Sequence, residues 1–182
     1  MAQFTEDLVW SSTVSSTGVS NWERTTISDD SRASFATVTS GSNGLIIFEL
    51  TNLSLTPSSI VSVQMRHEAN AAATDTVVIG AEMLNNSNDV INVENTGFST
   101  TSDNLKTNMT THTTNALTSN AWTLNDINNL RIKLGYRAES GTVGDSYVDH
   151  FYVRVTYDMQ RLIKLDSGKI KLDSGKIKIV EE

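Results

Sequence analysis

Between Leu130 and Asp158 the chain alternates apolar and polar positions twice. Leu130, Ile132, Leu134 and Tyr136 are interleaved with Arg131, Lys133 and Arg137. A period of two belongs to a strand with one face on a core and one in water. Phe151, Val153, Val155 and Tyr157 repeat the pattern against Tyr152, Arg154 and Thr156. Between the two runs, Glu139 to Ser146 carries Gly141, Gly144 and Asp145, residue types of a loop that reverses direction. The runs are therefore predicted to be antiparallel strands joined as a hairpin, with Ile132, Leu134, Phe151, Val153 and Val155 in the core. Upstream, Leu124, Ile127 and Leu130 are spaced by three, and Asn125 and Asp126 are able to cap, which predicts one helical turn. Trp122 precedes it as a core plug. Asp149 has the parity of Phe151 and points inward. A buried carboxylate needs partners, so it is predicted to accept from backbone N–H groups of the preceding loop. The functional alternative is a cation ligand, or an acid or base with His150.

Further strands are predicted at Leu8 to Trp10, at Leu45 to Leu50, and at Ile60 to Arg66 with Val61, Val63 and Met65 inward. Two more follow, at Thr76 to Met83 with Val77, Ile79, Ala81 and Met83 on one face, and at Val90 to Val93. Turn residues separate them at Ser40 to Gly44, Asn70 to Thr74 and Asn85 to Asp89. Short strands between such turns predict an all-β fold, an antiparallel β-sandwich of jelly-roll type. Residues 1–20 read as an N-terminal arm with a Ser/Thr-rich loop from Ser15 to Ser20, 21–158 as the sandwich with Trp22 in its core, and 159–182 as a tail. Residues 94–120 are Thr/Asn-rich, with Phe98, Leu105, Met109 and Leu117 as sparse anchors. A stretch that long without pattern is a candidate contact surface.

The tail repeats with a period of seven: Ile163-Lys-Leu-Asp-Ser-Gly-Lys, Ile170-Lys-Leu-Asp-Ser-Gly-Lys, then Ile177-Lys-Ile-Val. Apolar residues spaced two then five do not fit a coiled coil, and Gly168 and Gly175 break helices. A short β-meander fits, with turns at Asp166 to Gly168 and Asp173 to Gly175. A four-residue Asp-Ser-Gly-Lys connection sets Leu165 opposite Ile170 and Leu172 opposite Ile177. Ile163, Leu165, Ile170, Leu172, Ile177 and Ile179 then share one face, with lysines on the other. Strands this short are marginal alone, so the six aliphatic residues either fold back on the chain's own sandwich or, the reading preferred, form the oligomer and assembly interface.

Composition narrows the function. Net charge is −7, which opposes binding to nucleic acid or an anionic membrane. Five of the seven lysines lie in the last nineteen residues, leaving the body more acidic than the total. Cysteine is absent, so thiolate chemistry and disulfides are excluded. The N-terminus shows no secretory pattern, and no stretch approaches the ~20 apolar residues of a membrane span. His67, His112 and His150 are scattered without ligand spacing. Neither a Gly-rich phosphate loop nor a Gly-x-Ser-x-Gly elbow is present. No catalytic residues, cofactor or metal are expected. Asp29 and Asp30 are a weak Ca²⁺ candidate, and an Asx turn is their ordinary role.

The pattern Trp122-Thr123, Asp126-Ile127-Asn128, Leu130 to Leu134, Tyr147-Val148-Asp149-His150 and Val153 to Tyr157 resembles the end of a β-sandwich module of tailed-phage virion proteins. Ser28 to Ala36 resembles its early acidic turn; Asn43 to Phe48 and Leu55 to Val63 resemble its early strands. One departure is that Ser62 or Val61 stands where the module has a glycine. The resemblance implies a non-enzymatic virion component, a capsid decoration or head-fibre protein. Such a protein, made in the host cytoplasm without a signal peptide, would form a homo-oligomer, expected as a trimer, and dock on other virion proteins such as the major capsid protein. The alternative is a receptor- or carbohydrate-binding module of a tail appendage, its partner a host glycan stacked on Trp10, Tyr136 or Tyr152.

Overall fold

The structure is a computed structural model that describes residues 2–26, 33–35, 44–71, 77–98, 104–106, 109–138, 146–159, 169–173 and 176–180. The chain is all-β with one short helix. The strands in order are β1 (Ala2–Thr17), β2 (Val19–Ser20), β3 (Ala33–Phe35), β4 (Gly44–Leu50), β5 (Ser59–Ala71), β6 (Val77–Leu84) and β7 (Val90–Phe98). After them come β8 (Asn104–Lys106), β9 (Thr114–Asn115), β10 (Asn120–Ala121), helix α1 (Leu124–Asn128), β11 (Arg131–Ala138), β12 (Ser146–Met159), β13 (Lys169–Asp173) and β14 (Lys176–Val180). A 3₁₀ turn spans Trp22–Thr26.

Ten strands form one antiparallel sheet that curls over itself into two layers. In the first layer β5 pairs along β12, with β8 beyond β5. The other edge of β12 is shared by β3, at Ser146 to Val148, and the first half of β1, at Tyr152 to Met159. The second layer runs β1, β4, β11, β6, β7. Strand β1 belongs to both layers: residues 2–9 pair with β12, and from Trp10 to Thr17 it pairs with β4. Register shifts between Trp10 and Ser12 and between Thr13 and Ser15 mark where it bends.

The layers face each other because their strands alternate. Ile46, Phe48 and Leu50 on β4 and Ile132 and Leu134 on β11 point toward Val153 and Val155 on β12 and Val63 and Met65 on β5, and all are buried. Phe48 meets Phe151 edge-on across the layers with centroids 5.5 Å apart. Trp22 is tilted against both rings at 5.0 and 6.5 Å. Trp122 is buried too, its indole N–H donating to the His112 carbonyl at 3.0 Å.

Several expectations are corrected. β11 and β12 are not a hairpin: they lie in different layers, each paired with other strands on both edges. Alternation identifies a strand with one buried face but not its neighbour. Residues 1–20, read as an arm, provide β1 and β2. Positions 11–18 of this segment are exposed, so an edge strand there shows no hydrophobic period. Val61 is not in the core. Thr156 pairs with Ser62 and Tyr157 with Ile60, which leaves Val61 in a bulge and buries Ile60 in its place. The residues that depart from the resembled pattern are those at this bulge. At the helix start the N-cap is Thr123 in place of the expected Asn125, while Asp126 does cap a backbone N–H. Thr123 is the N-cap, accepting from Asp126 N at 3.1 Å, while the Asp126 carboxylate accepts from Thr123 N at 2.9 Å, a reciprocal capping box.

Candidate functional site

The tail hairpin is a separate two-stranded sheet. Its register sets Ile170 opposite Ile179 and Leu172 opposite Ile177, with Asp173 opposite Lys176 closing the strands. Leu172 opposite Ile177 is the expected pairing, but the strands extend through Asp173 and Lys176, two positions of the expected four-residue connection. Ile163, Leu165, Asp166, Gly168 and Gly175 lie outside the described residues, as do Asp29 and Asp30.

Of the aromatic candidates for stacking on a ligand, Tyr152 is buried. Its ring lies against His150, with centroids 4.6 Å apart, and under the Arg154 guanidinium at 5.6 Å. Arg154 is held there by Asp7, its Nε and Nη2 each donating to a carboxylate oxygen at 2.7 Å. Burial lowers the pKa of His150, and the negative charges of Glu68 and Asp7 act against that. Trp10 is half-buried, with its N–H donating to Thr13 at 3.2 Å; the Tyr136 side chain lies outside the described residues. Asp149 is 1 % exposed. It occupies a bulge, since Val148 pairs with Ala69 and His150 with Glu68. Val148 and Asp149 are accordingly both buried although they are consecutive. The loop expected to supply its N–H partners, 139–145, lies outside the described residues.

His112 is a constellation that the sequence did not reveal. Its backbone N and O exchange hydrogen bonds with Val63 of the first layer at 2.9 and 3.0 Å. Its ring Nε2 meets Glu94 Oε1 of the second layer at 2.9 Å, and Nδ1 lies 2.7 Å from Asn92 Nδ2. The same Asn92 Nδ2 lies 2.6 Å from Nε2, so this amide nitrogen faces both ring nitrogens. Thr110 N donates to Glu94 Oε2 at 3.0 Å. The segment read as a candidate contact surface thus carries a strap: His112 fastens the layers at the edge opposite β1. Met109 is buried beside it, and Leu117 is exposed.

Where β1 passes between layers, a polar groove of about 510 Å³ opens at one end of the sandwich. Four segments meet there: the β1 bulge at Ser11, the end of β4 with Thr51 and Asn52, the β6–β7 turn at Asn86, and the end of α1 running into Arg131. The turn folds around Asn85, whose Oδ1 accepts from Ser87 N and Asp89 N, both at 2.9 Å. Arg131 crosses the groove wall to Glu49. Its hydrogen bond, together with that of Ser12, holds the Glu49 carboxyl below its ordinary pKa. The groove was not legible in the sequence because its residues are scattered from position 11 to position 131.

Among the described residues, no helix is long and apolar enough to cross a membrane, and no group of three His, Asp or Glu side chains is placed to hold a metal ion. No family model matches the chain, and no curated protein does. Among solved structures, the chain is similar to the enzymatically active domain of tailspike protein 4 of bacteriophage CBA120 (9 % identity, TM-score 0.42, 83 % of this chain and 19 % of that one). It is also similar to a structure of infectious bursal disease virus, Gx strain (12 % identity, TM-score 0.43, 89 % and 35 %). A third is a xylan-binding module, CBM15 (12 % identity, TM-score 0.38, 88 % and 99 %). The chain spans about a fifth and a third of the first two.

Proposed function

We propose that the chain is a non-enzymatic structural component of a virion, of the capsid-decoration or head-fibre kind, working by homo-oligomeric assembly and docking on other virion proteins. The observation that supports this is the register of the terminal hairpin. It pairs aliphatic with aliphatic, Ile170 with Ile179 and Leu172 with Ile177, between rows of lysine. Each such side chain gains ~1.5–3 kcal/mol on full burial, and a two-stranded hairpin alone is marginal. A repeat of this composition is explained by a second polypeptide that covers it. Other copies of the chain are the first candidates, since the acidic body complements the lysine-rich tail.

The test is size-exclusion chromatography with light scattering on the full chain and on a chain cut after Met159, the last residue of β12. The full chain is expected to run as an oligomer, with three copies the expected number. The shortened chain is expected to run as a monomer with an unchanged far-ultraviolet β spectrum. A monomeric full chain, or an oligomer indifferent to the cut, refutes the proposal.

A further inference from the structure

We propose that the polar groove between β1, β4 and the α1–β11 junction is a binding site for a neutral saccharide, independent of the assembly surface. Charge is the first argument. Arg131 and Glu49 are the charged residues of the lining, and each is committed to the other. Arg131 Nε and Nη2 donate to Glu49 Oε1 at 3.3 and 2.9 Å, and Nη1 donates to the Asn86 carbonyl at 2.7 Å and to Asn88 Oδ1 at 3.2 Å. Glu49 Oε2 accepts from Ser12 Oγ at 3.0 Å. A guanidinium with these donors occupied is no anchor for a phosphate or a carboxylate. A carboxylate neutralised at hydrogen-bond distance is a poor cation ligand. The groove therefore favours a ligand that is polar and uncharged.

The remaining chemistry narrows the class. Asn52 and Asn86 are exposed, and their carboxamides make no hydrogen bond to the described residues. Asn128 has its Oδ1 engaged by Leu53 N at 3.4 Å, which leaves its NH₂ group available. Each carboxamide offers two donors and an acceptor with two lone pairs. Vicinal hydroxyls, each both donor and acceptor, are matched by such groups in pairs. The volume lies within the ~300–1,000 Å³ of small-molecule sites.

The walls are also fixed before any ligand arrives, which lowers the ordering cost of binding. Thr51 N donates to Val9 O at 2.8 Å, and Val9 N donates to Thr51 Oγ1 at 3.2 Å, locking the floor strand to β1. Asn129 Nδ2 is tied to the Asn125 carbonyl at 2.8 Å and fixes the end of α1. Among the described residues no aromatic ring lines the groove, so binding is expected to be weak and read from hydroxyl geometry.

The experiment is an NMR titration of the isotope-labelled full chain with neutral sugars: glucose, galactose, mannose, N-acetylglucosamine and their short oligomers. Inorganic phosphate and Ca²⁺ serve as charged probes. At least one sugar is expected to shift the side-chain NH₂ signals of Asn52, Asn86 and Asn128 and the backbone amides of Ser11 and Thr51, with saturation at millimolar concentration. The Asn52→Ala/Asn86→Ala double variant is expected to weaken that binding at least tenfold while the spectrum elsewhere, and the oligomeric state, stay unchanged. Sugar-induced shifts that map elsewhere, a groove that answers to phosphate or Ca²⁺ instead, or no response to any sugar each overturn the inference. Loss of the oligomer on removing the tail bears only on the assembly proposal, since no described tail residue lines the groove.

Discussion

The contact between Phe48 and Phe151 joins the two layers, so it tests the sandwich most directly. Both rings are fully buried and meet edge-on at 5.5 Å, with Trp22 against each. Truncating a buried Phe to Ala costs about 3–5 kcal/mol, a large share of a total stability of roughly 5–15 kcal/mol. Leucine, which keeps most of the volume, is the better probe: each single change is expected to cost about 1–2 kcal/mol. An aromatic pair contributes ~0.5–1.5 kcal/mol beyond its buried area. The double variant should therefore be less destabilised than the sum of the singles by about that amount. Urea unfolding followed by tryptophan fluorescence and by circular dichroism reads this out. With a slope of roughly 1–3 kcal/mol per molar urea, a loss of about 1.5 kcal/mol moves the midpoint by ~0.5–1.5 M. Because Trp22 touches both rings, the cycle is repeated in a Trp22→Leu background to isolate the direct pair. Additivity within ~0.3 kcal/mol in both backgrounds would mean that the rings do not touch and that β4 and β12 do not face each other.

Two further outcomes follow from local geometry. His150 has its pKa lowered by burial, so the unfolded chain binds the proton more readily than the folded one. Its contribution to stability is complete above the ordinary histidine value of about 6.5, and it is lost as pH falls from there toward the lowered folded value. Stability measured between pH 7.5 and 5 is expected to decline, and His150→Gln is expected to flatten that decline; an identical pH profile for the variant contradicts the assignment. At the start of α1, Thr123→Ala removes one half of the capping box and is expected to cost about 1 kcal/mol. Thr123→Ser is expected to restore most of that loss, and equal midpoints for the Ala variant and the parent chain would show that the cap contributes nothing.

The sequence revealed burial far better than it revealed pairing, and the reason is physical. Which face of a strand is buried is written in consecutive residues, so Ile132, Leu134, Phe151, Val153 and Val155 could be assigned to the core from alternation alone. Which strand lies beside another is set by contacts remote in sequence. β11 and β12 looked like a hairpin because each has a hydrophobic face and a Gly-containing segment joins them; what separates them is that each finds neighbours on both edges elsewhere. Bulges do the same kind of damage locally. One extra residue reverses the parity: at the first bulge Val61 loses the core position expected of it, and at the second Val148 is buried beside the inward Asp149, and no residue type announces either.

The same distinction decides which candidate surfaces could be found. The tail is legible because its information is local: a seven-residue repeat sets its own register, and Leu172 does sit opposite Ile177. His112 shows no ligand spacing in the sequence, and its role is structural: its partners Val63, Asn92 and Glu94 come from two strands in different layers. The groove is a more extreme case. Ser11, Glu49, Asn86 and Arg131 are brought together only because β1 changes layers at its bulge and the β6–β7 turn folds against the start of β11. An Asn-rich turn reads in sequence as loop chemistry, and Arg131 reads as a solvated strand position. Only the curled sheet converts them into a walled, charge-neutral recess, so a chain with no recognisable catalytic motif can still carry a ligand site made of ordinary turn residues.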